Sequence, residues 1–100
     1  LVWLKACDDY KAKFTCGMNG RYGHAVNKIP EDALATLDLS SLQVYMSGGE
    51  PVQAATVKAF ATKFAACGLQ RGACYPCLGM AENGGCFFGH VCKCSVVCVC

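Results

Sequence analysis

The residues best suited to chemistry lie in two short glycine-bearing stretches, Ser47-Gly48-Gly49-Glu50-Pro51 and Tyr75-Pro76-Cys77-Leu78-Gly79-Met80-Ala81-Glu82. Glycine carries no Cβ, so backbone at these points can come close to a ligand. A carboxylate that follows such a loop can hold a hard cation such as Mg2+, which takes oxygen ligands. Close backbone approach and an acid for a cation are the parts a nucleotide site needs. Taken singly, each stretch has a plainer reading. A lone Glu after glycine is most often a surface or helix-start acid, and Gly-Gly between a strand and a helix is an ordinary turn. Their position relative to each other carries more information than either alone.

That position follows from the elements around them. Leu42, Val44 and Met46 alternate with Gln43 and Tyr45, a strand pattern that ends at Ser47. A helix follows, which Pro51 is expected to open. In it Val57, Phe60, Ala61 and Phe64 repeat at i, i+3, i+4 and i+7, with Lys58, Thr62 and Lys63 on the wet side and Gly68 at the C-cap. Residues 73–77 form the next extended run, turning into a tight loop over 78–82. Strand, helix, strand is a βαβ unit on parallel strands. The fold class is therefore α/β, with a partial parallel sheet. Ligands in open α/β sheets gather beyond the carboxyl ends of the strands, where both glycine stretches fall.

Upstream, Trp3, Ala6, Cys7 and Tyr10 share one face of a first helix. Residues 13–16 read as a short strand and Gly17-Met18-Asn19-Gly20 as a loop. Residues 22–29 read as a short helix stopped by Pro30, with His24 a plain helix residue. Pro30 is placed to open another helix, with Glu31 and Asp32 in its first turn and Leu34 and Leu37 as anchors. A further strand is possible at 86–88.

Composition narrows the classes. The chain of 100 residues is 54% hydrophobic and only 16% charged, against roughly 45–50% and about 25% for ordinary soluble domains. So few charges predict apolar surface that a larger core would cover. A net charge of +2 without a basic run argues against nucleic acid as a partner. No apolar run approaches the roughly 20 residues of a membrane span. The start lacks the pattern of an export signal, which favours a cytoplasmic setting and reduced thiols for the ten cysteines.

Together these residues resemble the adenylate-forming superfamily, and within it the fatty-acyl-AMP ligases. The resemblance runs from about residue 3 to about residue 89. Trp3, Leu4 and Tyr10 match a family Trp-Leu and Arg/Tyr pattern, and Met18-Asn19-Gly20-Arg21-Tyr22 stands where the family has a Pro-Asn-Phe-Ala-Tyr-like acyl-pocket loop. Leu37-Asp38-Leu39-Ser40-Ser41 matches a Leu-Asp-Leu-Ser-Ser element. Ser47 to Val52 answers to Asn-Gly-Ala-Glu-Pro-Val, and Tyr75 to Glu82 to Tyr-Pro-Cys-Tyr-Gly-Met-Ala-Glu. Leu78 replaces the aromatic that packs on adenine, and Asn83-Gly84 replaces an Ala-Thr pair.

The resemblance implies site roles. Gly48, Gly49, Glu50 and Pro51 would line the adenine and ribose end of a nucleotide pocket, with Leu78 at the adenine. Gly79, Met80 and Ala81 would run beside the acyl phosphate, Glu82 would bind Mg2+, and Asn19 and Tyr22 would lie near a fatty-acyl tunnel. The cofactors implied are ATP and Mg2+. The partners implied are a fatty acid, and an acyl carrier protein or the remainder of a larger synthase. Residues 1–90 would then be part of an adenylation domain, a central slice that is inactive alone. The family's phosphate loop, its distal ribose-binding aspartate and the lysine-bearing C-terminal domain have no counterpart here.

A different reading starts from the tail at 91–100, where Cys92, Cys94, Cys98 and Cys100 follow His90. Thiolate and imidazole suit Zn2+ or Cu(I), so a small cysteine-rich metal-binding or structural protein is the competing expectation. The spacing is not a usual zinc pattern.

Overall fold

A computed structural model describes residues 2–83 and 85–89. In chain order it contains α1 (Val2–Asp9), β1 (Phe14–Gly17), α2 (Asn19–Lys28), α3 (Glu31–Leu34), β2 (Val44–Ser47), α4 (Ala54–Phe64), β3 (Cys74–Met80) and β4 (Gly85–Gly89). The sheet runs β1-β2-β3-β4, with the first three strands parallel and β4 antiparallel to β3. The α/β class and the parallel βαβ unit are thus present, and α2 and α3 add a second crossover of the same kind upstream.

The helices pack on one face of the sheet, and an aromatic junction shows how. Tyr45 of β2 lies with its ring 5.4 Å from Tyr22 of α2 and 5.2 Å from Phe60 of α4. Tyr22 and Phe60 are themselves 5.0 Å apart, edge to face. Such geometries suit the ring quadrupole and add to plain burial. Trp3 brings α1 to the same junction, 5.5 Å from Tyr22. Leu34, Leu37, Leu39, Leu42 and Leu69 close the core around it, so both expected leucine anchors are in place.

The face that α1 buries differs from its expected stripe. Leu4, Cys7 and Asp8 are buried, while Tyr10 lies past the helix end and is 86% exposed. Asp8 tolerates burial because its carboxylate accepts a 2.8 Å hydrogen bond from Lys11. In β2 the buried side chains are Tyr45 and Ser47, with Val44 and Met46 half-buried. A parallel strand meets side-chain layers on both faces, so alternation does not mark the core side. The helix after the second strand starts at Ala54, not Pro51, with residues 51–53 outside it.

The expected loop at 17–20 is partly helix, since Asn19 and Gly20 begin α2. The expected tight loop at 78–82 is also corrected. Leu78, Gly79 and Met80 belong to β3, held in pairing with β4 across a bulge between Leu78 and Gly79. Lys63 is not on the wet side. Its ammonium donates to the backbone carbonyls of Val26, at 2.6 Å, and Ile29. It thereby caps the C-terminus of α2, where a cation meets unpaired carbonyls and the negative end of the dipole. Gly68 takes the left-handed conformation, φ 84°, after a single 3-10 turn at Ala65–Cys67, as its C-cap role requires.

The opposite face of the sheet carries no helix among the described residues. Register places Phe14, Cys16, Val44, Met46, Tyr75 and Cys77 there, all exposed or half-buried. Phe60→Ala should therefore cost about 3–5 kcal/mol of stability, whereas Phe14→Ala should change it by less than about 0.5 kcal/mol. Urea unfolding of both variants checks this. A second expectation concerns pH. Asp38 accepts from the Ser40 hydroxyl at 2.6 Å, the Ser40 N–H at 3.0 Å and Lys11 at 3.1 Å. Those bonds, Ser40's first, hold its carboxyl at about 2, below the ordinary 3.8. The stabilisation is present above the unfolded value and is lost as pH falls through about 2. Asp38→Asn should remove that acid-sensitive step from a stability-against-pH profile while lowering stability at neutral pH.

Candidate functional site

The carboxyl ends of β1, β2 and β3 lie on one edge of the sheet, as parallel strands require. There the backbone after β2 meets both neighbours. The Gly48 N–H donates to the Gly17 carbonyl at 3.3 Å. On the other side Gly48 lies flat against β3. A Cβ on it would stand 2.5 Å from the Cys77 sulfur and 2.9 Å from the Cys77 carbonyl oxygen. Gly48 is thus required by contact. Gly49 is required by its torsion, φ 81°, a left-handed conformation that glycine adopts without strain. A Cβ on Gly49 would reach the Met18 side chain at 3.4 Å.

Two side chains cross between the loop after β1 and the loop after β2. Glu50 accepts a 2.5 Å hydrogen bond from the Gly20 N–H in the first turn of α2. Met18, the N-cap residue of α2, gives no side-chain cap, so the Glu50 carboxylate serves an otherwise open donor from another element. In return the Asn19 side-chain oxygen accepts from the Gln53 N-H at 3.0 Å, just ahead of α4. The two loops form one cross-tied unit.

The remaining expected site residues fall as follows. Tyr22 is 1% exposed, and its hydroxyl donates to the Met46 carbonyl at 2.6 Å. Burial raises its pKa above the ordinary value, so it stays a neutral donor. Pro51 is exposed beside Glu50. Leu78 is 60% exposed. Gly79 and Met80 continue β3 past its last pairing with β2 at Pro76. Ala81 and Glu82 sit in a 3-10 turn at Ala81–Asn83, both exposed. The Glu82 side chain makes no hydrogen bond or ion pair among the described residues.

Sequence reasoning did not single out Gly17 as part of this edge, and it gave Ser47 and Cys77 no role of their own within the two stretches. The Ser47 hydroxyl is fully buried and has no hydrogen-bond partner among the described residues. Only its place as the last residue of a buried strand hinted at this. The competing metal reading rests on residues 90–100, which lie outside the described residues. Among the described residues no group of three His, Cys, Asp or Glu side chains could hold a metal ion. No disulfide joins Cys7, Cys16, Cys67, Cys74 or Cys77.

The parallel sheet with cross-tied loops at its carboxyl edge is shared with solved adenylate-forming enzymes, and this chain is a segment of that fold. The crystal structure of a fatty acid AMP ligase from Legionella pneumophila superposes with a TM-score of 0.86 at 36% identity, covering 90% of this chain and 16% of that one. An adenylation domain of a keto acid-selecting module superposes with a TM-score of 0.83 at 26% identity, covering 91% of this chain and 16% of that one. In sequence, a medium-chain-fatty-acid–[acyl-carrier-protein] ligase from Teredinibacter turnerae is 35% identical over 80 residues, 80% of this chain. No family model matches. Within the adenylate-forming enzymes, the chain corresponds to a segment of the fatty-acyl-AMP ligases. It spans about an eighth of the length of the first curated relatives, 12% and 14%.

The contact at Gly48 yields a prediction. Gly48→Ala should lower stability by about 1–3 kcal/mol through overpacking between β2 and β3. Adding Cys77→Ala should recover only part of this, because the Cys77 carbonyl remains 2.9 Å from the new methyl. Denaturant titration of the single and double variants reads the difference.

Proposed function

We propose that the chain is part of an acyl-adenylate-forming ligase, inactive by itself, which activates a fatty acid with ATP. A carboxylate oxygen of the acid would form a bond to the α-phosphorus. The bond from that phosphorus to the bridging oxygen would break, releasing pyrophosphate and leaving acyl-AMP. A carrier-protein thiol would then attack the acyl carbonyl, forming a thioester as the acyl–phosphate bond breaks and AMP and a proton leave. The observation that carries this reading is the juxtaposition of Gly48 and Cys77. It joins the two glycine-bearing stretches at one carboxyl edge, where an α/β sheet takes its ligands. A relative supports it: a fatty acyl-adenylate ligase from Legionella pneumophila, solved with acyl adenylate and pyrophosphate, is 38% identical over 81% of this chain with a TM-score of 0.78.

Within this reading, backbone does most of the work. Gly48, Gly49 and Pro51 offer a flat surface to the adenine and ribose end, with exposed Leu78 as apolar cover. Glu50 and Asn19 hold that surface in shape through the bonds to Gly20 and Gln53. Tyr22 fixes the wall of the acyl path from inside the core. Gly79, Met80 and Ala81 follow the acyl phosphate. Glu82 would hold Mg2+; a single exposed carboxylate fits that ion, which completes its shell with phosphate oxygens and water. The ion supplies charge neutralisation at the phosphates. A reducing, cytoplasmic setting belongs to the same proposal.

Residues 2–89 grafted in place of the matching segment of the Legionella pneumophila fatty acid AMP ligase should give fatty-acid-dependent pyrophosphate release. Glu82→Gln in that chimaera should slow release by roughly 10²–10³-fold, the range for losing one preorganised electrostatic stabiliser. The isolated chain should stay at background. A folded, ATP-binding chimaera that releases no pyrophosphate, or one indifferent to Glu82→Gln, would contradict the reading.

A further inference from the structure

The outer face of α2 holds a groove that the carboxyl-edge site does not use. It has a volume of about 400 Å³ and is lined by Trp3, Arg21, His24, Ala25, Lys28, Ile29 and Pro30. Arg21, His24 and Lys28 stand at i, i+3 and i+7, so they form one row on the helix. No carboxylate lines the groove. Lys5 and Lys11 of the neighbouring segment are paired with Asp8, Asp9 and Asp38, and Glu31, beyond Pro30, lies 3.9 Å from Lys63. By contrast, no hydrogen bond or ion pair engages Arg21, His24 or Lys28 through its side chain among the described residues. The Arg21 guanidinium instead sits over the Trp3 ring, 5.5 Å from its centre. Its stem rests against Gly17, where a Cβ would stand 3.0 Å from the Arg21 Cδ. The row is therefore seated on a defined floor and unneutralised by any carboxylate among the described residues.

We infer that this groove is a docking surface for an acidic helix of a partner protein. The reason is geometric and electrostatic. At about 1.5 Å rise per residue the three basic groups spread along roughly 10 Å of helix axis. A small anion could bridge two neighbours of the row but not all three, since Arg21 and Lys28 lie two turns apart. A helix lying alongside α2, with carboxylates at i, i+3 or i+4, and i+7, repeats the same spacing and meets all three. The apolar floor of Trp3, Ala25, Ile29 and Pro30 takes the aliphatic stems and apolar residues between the acids. Complementary charge of this kind sets partner choice and speeds encounter. The inference does not depend on the ligase reading, since it concerns the outside of α2 and not the carboxyl edge.

Trp3 is the sole tryptophan and lines the groove, so its emission reports on occupancy without a label. A synthetic helical peptide with glutamates at i, i+4 and i+7 should shift or quench that emission saturably, with weaker binding at higher salt. Arg21→Glu with Lys28→Glu should weaken binding at least tenfold, and Arg21→Gln with Lys28→Gln should weaken it by a smaller factor; circular dichroism confirms that each variant is folded. A peptide of equal charge with its glutamates scrambled around the helix should bind several-fold more weakly. Equal response to the scrambled peptide, no response at all, or tighter binding to phosphatidylserine vesicles or to single-stranded RNA than to the ordered peptide would overturn the proposal.

Discussion

The structure depends on one buried contact, the junction of Tyr45 with Tyr22 and Phe60. It holds α2 and α4 side by side on the same face of β2. The hydroxyl of Tyr22 adds a directional tie to the Met46 carbonyl. A buried phenol needs such a partner, and once paired it selects one position for the helix along the strand. Rings alone would allow sliding; the hydrogen bond sets the register. Because α2 and α4 run back from the carboxyl edge, this register also fixes where their first turns lie.

The consequences are felt at the edge itself. With the two helix starts placed, Glu50 can reach the Gly20 N–H and Asn19 can reach the Gln53 N–H. Polar side chains that look available for a ligand in the sequence are used to bind one loop to the other. What the edge then presents is largely backbone, at Gly48 and Gly49, where contact with Cys77 and a left-handed torsion exclude side chains. A surface of that kind suits planar and phosphate-bearing ligands, for which close approach matters more than side-chain chemistry.

The two faces of the sheet are unequal. One is sealed by helices and carries the fully buried side chains Tyr22, Tyr45, Phe60 and Phe64. The other leaves Phe14 and Cys16 exposed and Val44, Met46, Tyr75 and Cys77 half-buried. The low charge content of the sequence is accounted for here, since apolar residues line both sides of parallel strands while only one side is covered. The same inequality explains why the strand alternation of residues 42–46 does not by itself say which set faces the core. With apolar groups on both faces, period-two patterning loses its meaning, and the large ring of Tyr45 takes the core.

Several features could be read from residue order alone. The strand, helix, strand succession follows from a period-two run, a 3.6-period run and a closing glycine, which are local properties of the chain. The Leu34 and Leu37 anchors and the αL cap at Gly68 are local in the same sense. The two glycine stretches announced themselves by type and by their place after strands. Tertiary structure decided what required distant partners. Asn19 and Gly20 became helix because Glu50, thirty residues on, supplies the cap that Met18 does not. Residues 78–80 became strand because β4 pairs with them. Lys63 turned inward because the carbonyl end of α2 was there to receive it. Hydrogen bonds and charges are satisfied by whatever the fold brings near, and sequence periodicity records only which side of an element is apolar.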